Sequence, residues 1–503
     1  MRVLFLIPPA DGRAPDRNFG CNYGIEFQEP SHILYPAAML EKYGHEAEFV
    51  DCPVEKKDSN WVEEYVKKFD AIVFFTVFLS EEIDKKWAKK IRKINKNAYI
   101  IFLGPEPTRK PHDFIFDDRV FVVRGEPELT IVDLFKYLEK TLSLNNVLGL
   151  SFGKLLRNKL RIIDNPPRGI IENLDEIPFP ARHLIKNPML YFNPKLKGRP
   201  VATMLTSRQC WAQCIYCIPS AYTFSREIEG RRATGKIKNG KILNFSKTKK
   251  PPVRFRSAEN VFKEFKMLKE LGYKAVAIMD DDFLALTKLP EYKKRILKIC
   301  ELIRPLKMEW GCLARADECQ DKEILEAMKE AGCKYIDLGI ESFEQDDLNF
   351  VRKGMSVGDQ MNAILLIKRI GIEPKINVLI GVSPFQTKEN IKWTVEILKM
   401  LNIKYASFSI VTPHPATQYY EVVKKNKWFA TKSGDWIGTD PYREGIVDLP
   451  NLTQKDMKEL VRWCYTSFYL RPSYILKRLF EVKSIGELIE LFKVMWNLVF
   501  RKT

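Results

Sequence analysis

The sequence predicts an α/β protein: an N-terminal doubly wound domain, then a partial (β/α)6 barrel, then a helical C-terminal extension. Three observations carry that prediction. Short apolar runs alternate with amphipathic stretches over residues 1–145, and the alternation stops and then resumes at residue 200. Three of the ten cysteines fall within eight residues, just after the first run of the second series. Short buried strands alternating with helices imply parallel sheets covered on both faces.

In the first series the strands are VLFLI, EAEFV, AIVFF, YIIFL and RVFVV, and the helical patterns lie at 32–44, 58–69, 81–95 and 127–140. Ligands of such sheets sit beyond the carboxyl ends of the strands. Those ends are marked here by Pro8-Pro9, Thr76 to Ser80, Gly104 to Pro107 and Gly125-Glu126. Neither GxGxxG nor GxxxxGK[ST] follows the first strand, which argues against a dinucleotide or nucleoside-triphosphate site. Residues 146–199 contain NPPRG and IPFPAR and read as a connecting segment with a small hairpin around 148–163.

The second series, within 200–428, has strands at 201–206, 274–279, 308–313, 334–340, 375–380 and 405–411. Its helices fall at 257–271, 291–304, 321–331, 357–371 and 387–401. Ser257 is the expected N-cap of the first, whose Val261, Phe262, Phe265, Leu268 and Leu271 share a face. Gly332 is the expected stop of the third. Six strands with five helices suggest an open, three-quarter barrel with its chemistry at the C-terminal strand ends. Residues 429–503 hold a linker, GDWIGTDPYREG, and then helices. In the last of these Ile485, Leu488, Ile489, Phe492, Met495, Trp496, Val499 and Phe500 share one face, for packing on the barrel or for lying in a membrane interface.

Lys plus Arg exceed Asp plus Glu by 18 over 503 residues, which favours anionic partners. Half of that excess lies in a basic insert, 222–256, where Arg226, Arg231, Arg232, Lys236, Lys238, Lys241, Lys247, Lys249, Lys250, Arg254 and Arg256 face only Glu227 and Glu229. No leader opens the chain, and no window reaches the roughly 18 apolar residues of a membrane span, so the expected location is cytoplasmic. Heavy Lys, Glu and Ile usage suits a thermophile. Ten cysteines in a chain of this size do not form a disulfide scaffold.

The loop after the first barrel strand reads RQCWAQCIYCIPS, with Cys210, Cys214 and Cys217 spaced C-x3-C-x2-C. Soft thiolates suit iron, and three ligands on a four-iron cube leave one iron open. The spacing does not fit paired zinc cysteines, and no fourth Cys or His lies nearby.

This loop resembles that of the radical S-adenosylmethionine (SAM) superfamily, in which an aromatic precedes the last cysteine, here Tyr216. The resemblance implies a [4Fe-4S] cluster whose open iron chelates SAM. One electron, from a donor such as ferredoxin or flavodoxin, then cleaves SAM to a 5′-deoxyadenosyl radical. It also assigns SAM contacts in chain order: Asp280 and Asp282 after the second strand, Arg315 after the third, and Gly339, Glu341 and Ser342 at the end of the fourth. Asn377, Gly381 and Val411 to Pro415 occupy the later strand ends, where GVSPFQT replaces the usual glycine-rich turn.

The order PP, YPAAML, GHEAEFVD, GPEPT, RGEPELT and IPFPAR is similar to the cobalamin-binding members, which include anaerobic magnesium-protoporphyrin ester cyclase, hopanoid and calditol synthases and methylases of unactivated carbon. SFYLRPSYILKRL resembles the lipid-modifying and cyclase members. The chain lacks DxHxxG, so any cobalamin would have no lower His ligand, and His45 reads as structural. The expected activity is functionalisation of an unactivated carbon of a large apolar, isoprenoid or membrane-lipid substrate, by carbon–carbon bond formation, cyclisation or alkyl attachment, with cobalamin-dependent methyl transfer as the first alternative. The basic insert would meet head-group phosphates, with Tyr222, Phe224 and Tyr405 as pocket candidates. A tetrapyrrole cyclase or an RNA-modifying enzyme is the second alternative, although the insert has few aromatics for stacking bases. A non-catalytic cobalamin or iron–sulfur carrier is the third.

Overall fold

The computed structural model describes residues 1–10, 27–157, 159–212, 214–217, 253–414, 417–430 and 445–481. Tyr222, Phe224, Pro415, the insert up to Pro252 and the 485–500 face lie outside these. By packing the chain divides into two units. The first comprises Met1–Trp211, Pro219–Phe283 and Lys294–Trp310; the second comprises Ala212–Ile218, Leu284–Lys293 and Gly311–Thr503.

In the first unit, β1 (Arg2–Ile7), β2 (Glu46–Asp51), β3 (Ala71–Phe75), β4 (Tyr99–Leu103) and β5 (Val120–Val123) pair in parallel, in the order β2-β1-β3-β4-β5. Helices α1 (Ser31–Lys42), α2 (Ser59–Tyr65), α3 (Glu81–Ile94) and α4 (Pro127–Leu138) connect them as the periodicity predicts. Residues on alternate sides of the strands enter two separate apolar cores, so the sheet is covered on both faces. Gly104 ends β4 where a Cβ would stand 2.6 Å from the Thr76 carbonyl oxygen, so only glycine fits. The expected hairpin is present as β6 (Leu150–Leu156) and β7 (Lys159–Asp164). It is not free-standing: β6 pairs antiparallel with β5 and lengthens this sheet to seven strands. His45 is structural, buried against Phe135 at 4.8 Å between ring centroids.

The second series opens in this unit with β8 (Val201–Met204), parallel to β11 (Ala275–Ile278). Between them in sequence, β9 (Ser207–Arg208) and β10 (Arg254–Phe255) form an unpredicted antiparallel ribbon on either side of the insert. Helix α5 (Ala258–Glu270) starts where Ser257 accepts the Asn260 N–H at 3.1 Å. Its Val261, Phe265 and Leu268 are buried, whereas Leu271, assigned to that face, is half exposed beyond the last turn. Helix α6 (Pro290–Ile303) and β12 (Glu309–Ala314) each run across the division.

In the second unit β13 (Cys333–Glu341), β14 (Glu373–Ile380) and β15 (Tyr405–Ile410) pair in parallel. They alternate with α7 (Lys322–Glu330), a short unpredicted α8 (Gln345–Phe350), α9 (Val357–Ile370), α10 (Lys388–Met400) and α11 (Gln418–Lys425). On β14 and β15 alternate residues are fully buried, and the others form a polar row in which Asn377 bonds Asp337, Lys375 and Ser407. The C-terminal helices are α12 (Gln454–Tyr469) and α13 (Pro472–Glu481). The Tyr469 hydroxyl donates to Ala406 O and accepts from Ala406 N, and Tyr465 accepts from Phe408 N. Helix α12 thus satisfies main-chain groups of β15, the last strand of its sheet.

Candidate functional site

The cysteine loop is fixed at both ends. At its start, Gln209 has a backbone φ of +86° and is fully buried. A left-handed non-glycine residue held inside a fold is strained and marks functional turns. Behind it Asp280 is fully buried and accepts from Thr206 N at 2.6 Å, Thr206 Oγ1 at 2.5 Å and Ser207 Oγ at 2.8 Å. Burial pushes its carboxyl up, against those bonds. In the structure both oxygens of Asp280 bond the segment that leads to Cys210. Asp282 is also fully buried, next to this group in sequence.

The ribbon that carries the loop is held by buried ion pairs. Arg208 pairs with Glu128 at 2.5 Å and with Glu126 at 3.3 Å, and Arg254 pairs with Glu126 at 2.7 Å. Arg256 pairs with Glu264, which also binds Arg182 at 2.7 Å. This corrects the basic insert: Arg254 and Arg256 do not belong to a solvent-facing lip, because acidic partners inside the fold neutralise them. RGEPE after β5 thus has a structural meaning, two carboxylates at the start of α4 that grip the ribbon.

Beyond the first cysteine, Ile215 N donates to Val351 O at 3.0 Å, Tyr419 N donates to Ile215 O at 3.0 Å, and Cys217 N donates to Cys214 O at 3.2 Å. The Tyr216 hydroxyl donates to Glu341 Oε1 at 2.8 Å, and Lys353 Nζ reaches the same oxygen at 2.7 Å. Glu341 has φ +66° and sits at a bulge in the pairing with β14, which turns its side chain toward these groups. A Cβ on Gly339 would lie 2.7 Å from Glu341 Oε1 and 3.0 Å from Lys353 Nζ. Gly339 therefore leaves room for the pair. Burial and the charges of Glu341, Cys214 and Cys217 push the Tyr216 hydroxyl well up. Burial pulls Lys353 down, but Glu341 and Cys214 outweigh it and hold the ammonium charged.

Arg315 does not stand free for a carboxylate. It is bidentate to Asp317, at 3.0 and 3.2 Å, donates to Lys353 O at 2.6 Å, and reaches Cys214 Sγ with Nη1 at 3.9 Å. Ser342, expected at the ribose, is also engaged within the fold. Its hydroxyl bonds Asp347 at 2.7 Å, and Asp347 also binds Ser383 and Gln386. Gln386 in turn accepts from Gly381 N at 2.6 Å, which holds the GVSPFQT turn. Sequence reasoning missed Lys353, Asp347, Asp317 and Thr206. The one available signal for Lys353 was a lone Lys in the turn after α8.

The donor set fits an iron–sulfur cluster. Cys210 and Cys214 are partly exposed and Cys217 is exposed, while the other six described cysteines are buried. Among the described residues no three His, Cys, Asp or Glu side chains converge on one point as for a single ion. Three thiolates that each bind a different iron of a cube need not do so.

Comparison with known proteins agrees. Residues 204–421 match the model of the radical SAM superfamily. An uncharacterized methyltransferase of Pyrococcus horikoshii is 31% identical over 96% of this chain and 95% of its own length. The hopanoid C-3 methylase of Methylococcus capsulatus is 25% identical over 78% of this chain and 68% of its own. Among solved structures, the cobalamin-dependent SAM radical enzyme OxsB, with aqua-cobalamin and SAM bound, matches 98% of this chain and 70% of its own at a TM-score of 0.68 and 16% identity. That likeness shows the fold: a doubly wound domain joined to a radical SAM barrel.

Proposed function

This chain belongs to the radical SAM superfamily and is a SAM-dependent radical enzyme, and we propose that it methylates an unactivated carbon of a large apolar, phosphate-bearing lipid with the help of cobalamin. The observation that carries this reading is the likeness over the whole chain, N-terminal sheet included, to a relative named a methyltransferase. Methyl transfer is preferred to ring closure or cross-linking because the hopanoid relative is also named a methylase. That relative supports the lipid substrate as well.

Cys210, Cys214 and Cys217 would hold the cluster, which when bound supplies one electron and an open iron for SAM. Asp280 keeps the strand before Cys210 in place through Thr206. Lys353 and Tyr216 hold Glu341 in its strained conformation, and Asp282 and Glu341 remain the candidates for orienting SAM. Cobalamin would rest beyond the carboxyl ends of the first sheet, where ligands of such sheets bind and where His32 stacks on Phe75. Burial and the charge of Arg208 keep His32 neutral there. Nine basic residues of the insert, Arg226 to Lys250, would bind head-group phosphates at a membrane surface on the cytoplasmic side. Among the described residues no helix is long and apolar enough to cross a membrane. A small one-electron carrier such as ferredoxin or flavodoxin would supply the reductant.

The test has two steps. Anaerobically reconstituted protein should cleave SAM, and replacing any one of Cys210, Cys214 and Cys217 by Ala should abolish cleavage. Lipids of a deletion strain, compared with the complemented strain by mass spectrometry, should lack a methyl group. A lipid profile unchanged by the deletion overturns the substrate class, and cleavage that survives the cysteine changes overturns the site.

A further inference from the structure

Resting on the cluster reading of the cysteine loop, we infer that Arg315, backed by Lys353, sets the reduction potential of the cluster by giving an N–H to the Cys214 thiolate. Arg315 is 6% exposed, and its fork is held in place. Nε and Nη2 are fixed by Asp317 at 3.0 and 3.2 Å, and Nη2 is fixed again by Lys353 O at 2.6 Å. That geometry leaves Nη1 directed at Cys214 Sγ, 3.9 Å away. The ammonium of Lys353 is buried in the same group and tied to Glu341 at 2.7 Å.

Each cation has its own carboxylate, Asp317 or Glu341, so the group as a whole is close to neutral. Its charge is ordered, however: guanidinium toward sulfur, Asp317 on the other side of the fork. Hydrogen bonds to cluster sulfurs and nearby charge are among the factors that set iron–sulfur potentials. The redox step is [4Fe-4S]2+ plus one electron giving [4Fe-4S]1+, with the electron from a low-potential one-electron donor and no proton taken up. The added negative charge spreads onto the thiolates, so a cation beside Cys214 stabilises the reduced form more than the oxidised form. The potential rises, and the electron is more easily loaded. The planar fork suits this role, because it can serve Asp317 and the sulfur at once, which a lysine at 315 cannot.

The experiment uses full-length protein reconstituted anaerobically: wild type, Arg315→Met, Arg315→Lys and Lys353→Met. Each is titrated with a low-potential reductant in the absence of SAM, and the reduced cluster is followed by electron paramagnetic resonance. Arg315→Met is expected to lower the equilibrium constant for reduction by about tenfold, or about 59 mV for a one-electron couple. Lys353→Met should shift it in the same direction by less, and Arg315→Lys should fall between Arg315→Met and wild type. A midpoint in Arg315→Met equal to wild type overturns the inference, and weakened SAM binding at that unchanged midpoint returns Arg315 to the SAM contact expected from sequence. If Arg315→Met holds no cluster, unchanged midpoints in both other variants overturn the inference equally. Failure of the wild type to load a cluster is a separate result, which removes the functional reading itself.

Discussion

Replacing Asp280 separates two roles for one carboxylate. In the structure it accepts three hydrogen bonds, at 2.6, 2.5 and 2.8 Å, from Thr206 and Ser207, and has no exposed surface. Asp280→Ala strands the Thr206 N–H, at about 1–3 kcal/mol for a buried unsatisfied donor. The two hydroxyls can rotate, and Thr206 Oγ1 keeps its contact with Arg295 at 3.2 Å, so their loss adds about 1 kcal/mol together. Removing a buried charge whose carboxyl is already pushed up returns part of this. The net expectation is a local cost of about 2–3 kcal/mol, a factor of about 30–150 in the opening equilibrium. Asp280→Asn keeps an acceptor for Thr206 N and should cost about 1 kcal/mol or less. Hydrogen exchange of the peptide spanning β8 and β9 reads this directly. The Ala variant should exchange there by that factor faster and hold less cluster, with exchange in β1–β5 unchanged. Wild-type exchange in the Ala variant, together with weakened SAM binding in the Asn variant, would refute the positioning role and restore the SAM contact.

Three further outcomes follow from the same geometry. Glu128→Gln leaves Arg208 dependent on Glu126, which Arg254 shares, and should destabilise the first unit by about 1–3 kcal/mol; hydrogen exchange of the peptides holding β9 and β10 should accelerate, and unchanged exchange would remove Glu128 from the grip on the ribbon. Gly339→Ala places a methyl group 2.7 Å from Glu341 Oε1, so the Glu341–Lys353 pair must move. A stability loss of about 1–3 kcal/mol with slower SAM cleavage is expected, and wild-type values in both would show that the pair's position is immaterial. Asp456 is held down to about 2 by Lys388, the Thr453 hydroxyl and the Thr453 N–H. Its folded value lies below the unfolded one, so its support of α12 is present above about pH 4 and is lost as pH falls through about 2. An acid step in Trp463 fluorescence should appear in that window and vanish in Asp456→Asn.

Where periodicity and chain order suffice, the architecture was readable before any coordinates. The five strands of β1–β5 and the six of the second series fall within a few residues of their expected bounds, because their buried positions form apolar runs or alternate with polar ones between helical patterns. The ribbon of β9 and β10 was not readable: it is two residues on each side, and its stability comes from Glu126, Glu128 and Glu264, which lie far away in sequence. The same limit explains the insert, since a run of basic residues does not say which of its members find carboxylates. At the site, the three cysteines were singled out by their spacing, and Glu341 by the resemblance of GIES to a family motif. Asp280, Arg315 and Ser342 were correctly placed at strand ends, but their partners are set by packing across the chain, which a motif does not encode.

Strain connects these results. Gln209 at φ +86° precedes the first cysteine, and Glu341 at φ +66° receives Tyr216, the residue before the last. A left-handed conformation costs a non-glycine residue on the order of 1–3 kcal/mol, so neither persists unless its surroundings over-determine it. For Gln209 those surroundings are the buried Asp280 bonds and the ion-paired ribbon; for Glu341 they are Lys353, Tyr216 and the space left by Gly339. These polar groups therefore fix two sharp backbone turns, one just before Cys210 in the sequence and one bonded to Tyr216. If that is their purpose, relieving the strain should be harmful rather than helpful. Gln209→Gly removes the conformational penalty and frees the loop, whereas Glu341→Gly would also delete the carboxylate that Tyr216 and Lys353 bond. Gln209→Gly should be neutral or better in thermal stability yet lose cluster on dilution faster than wild type. Equal or slower loss would mean that the turn at 209 is a tolerated accident of the fold and has no part in holding the thiols.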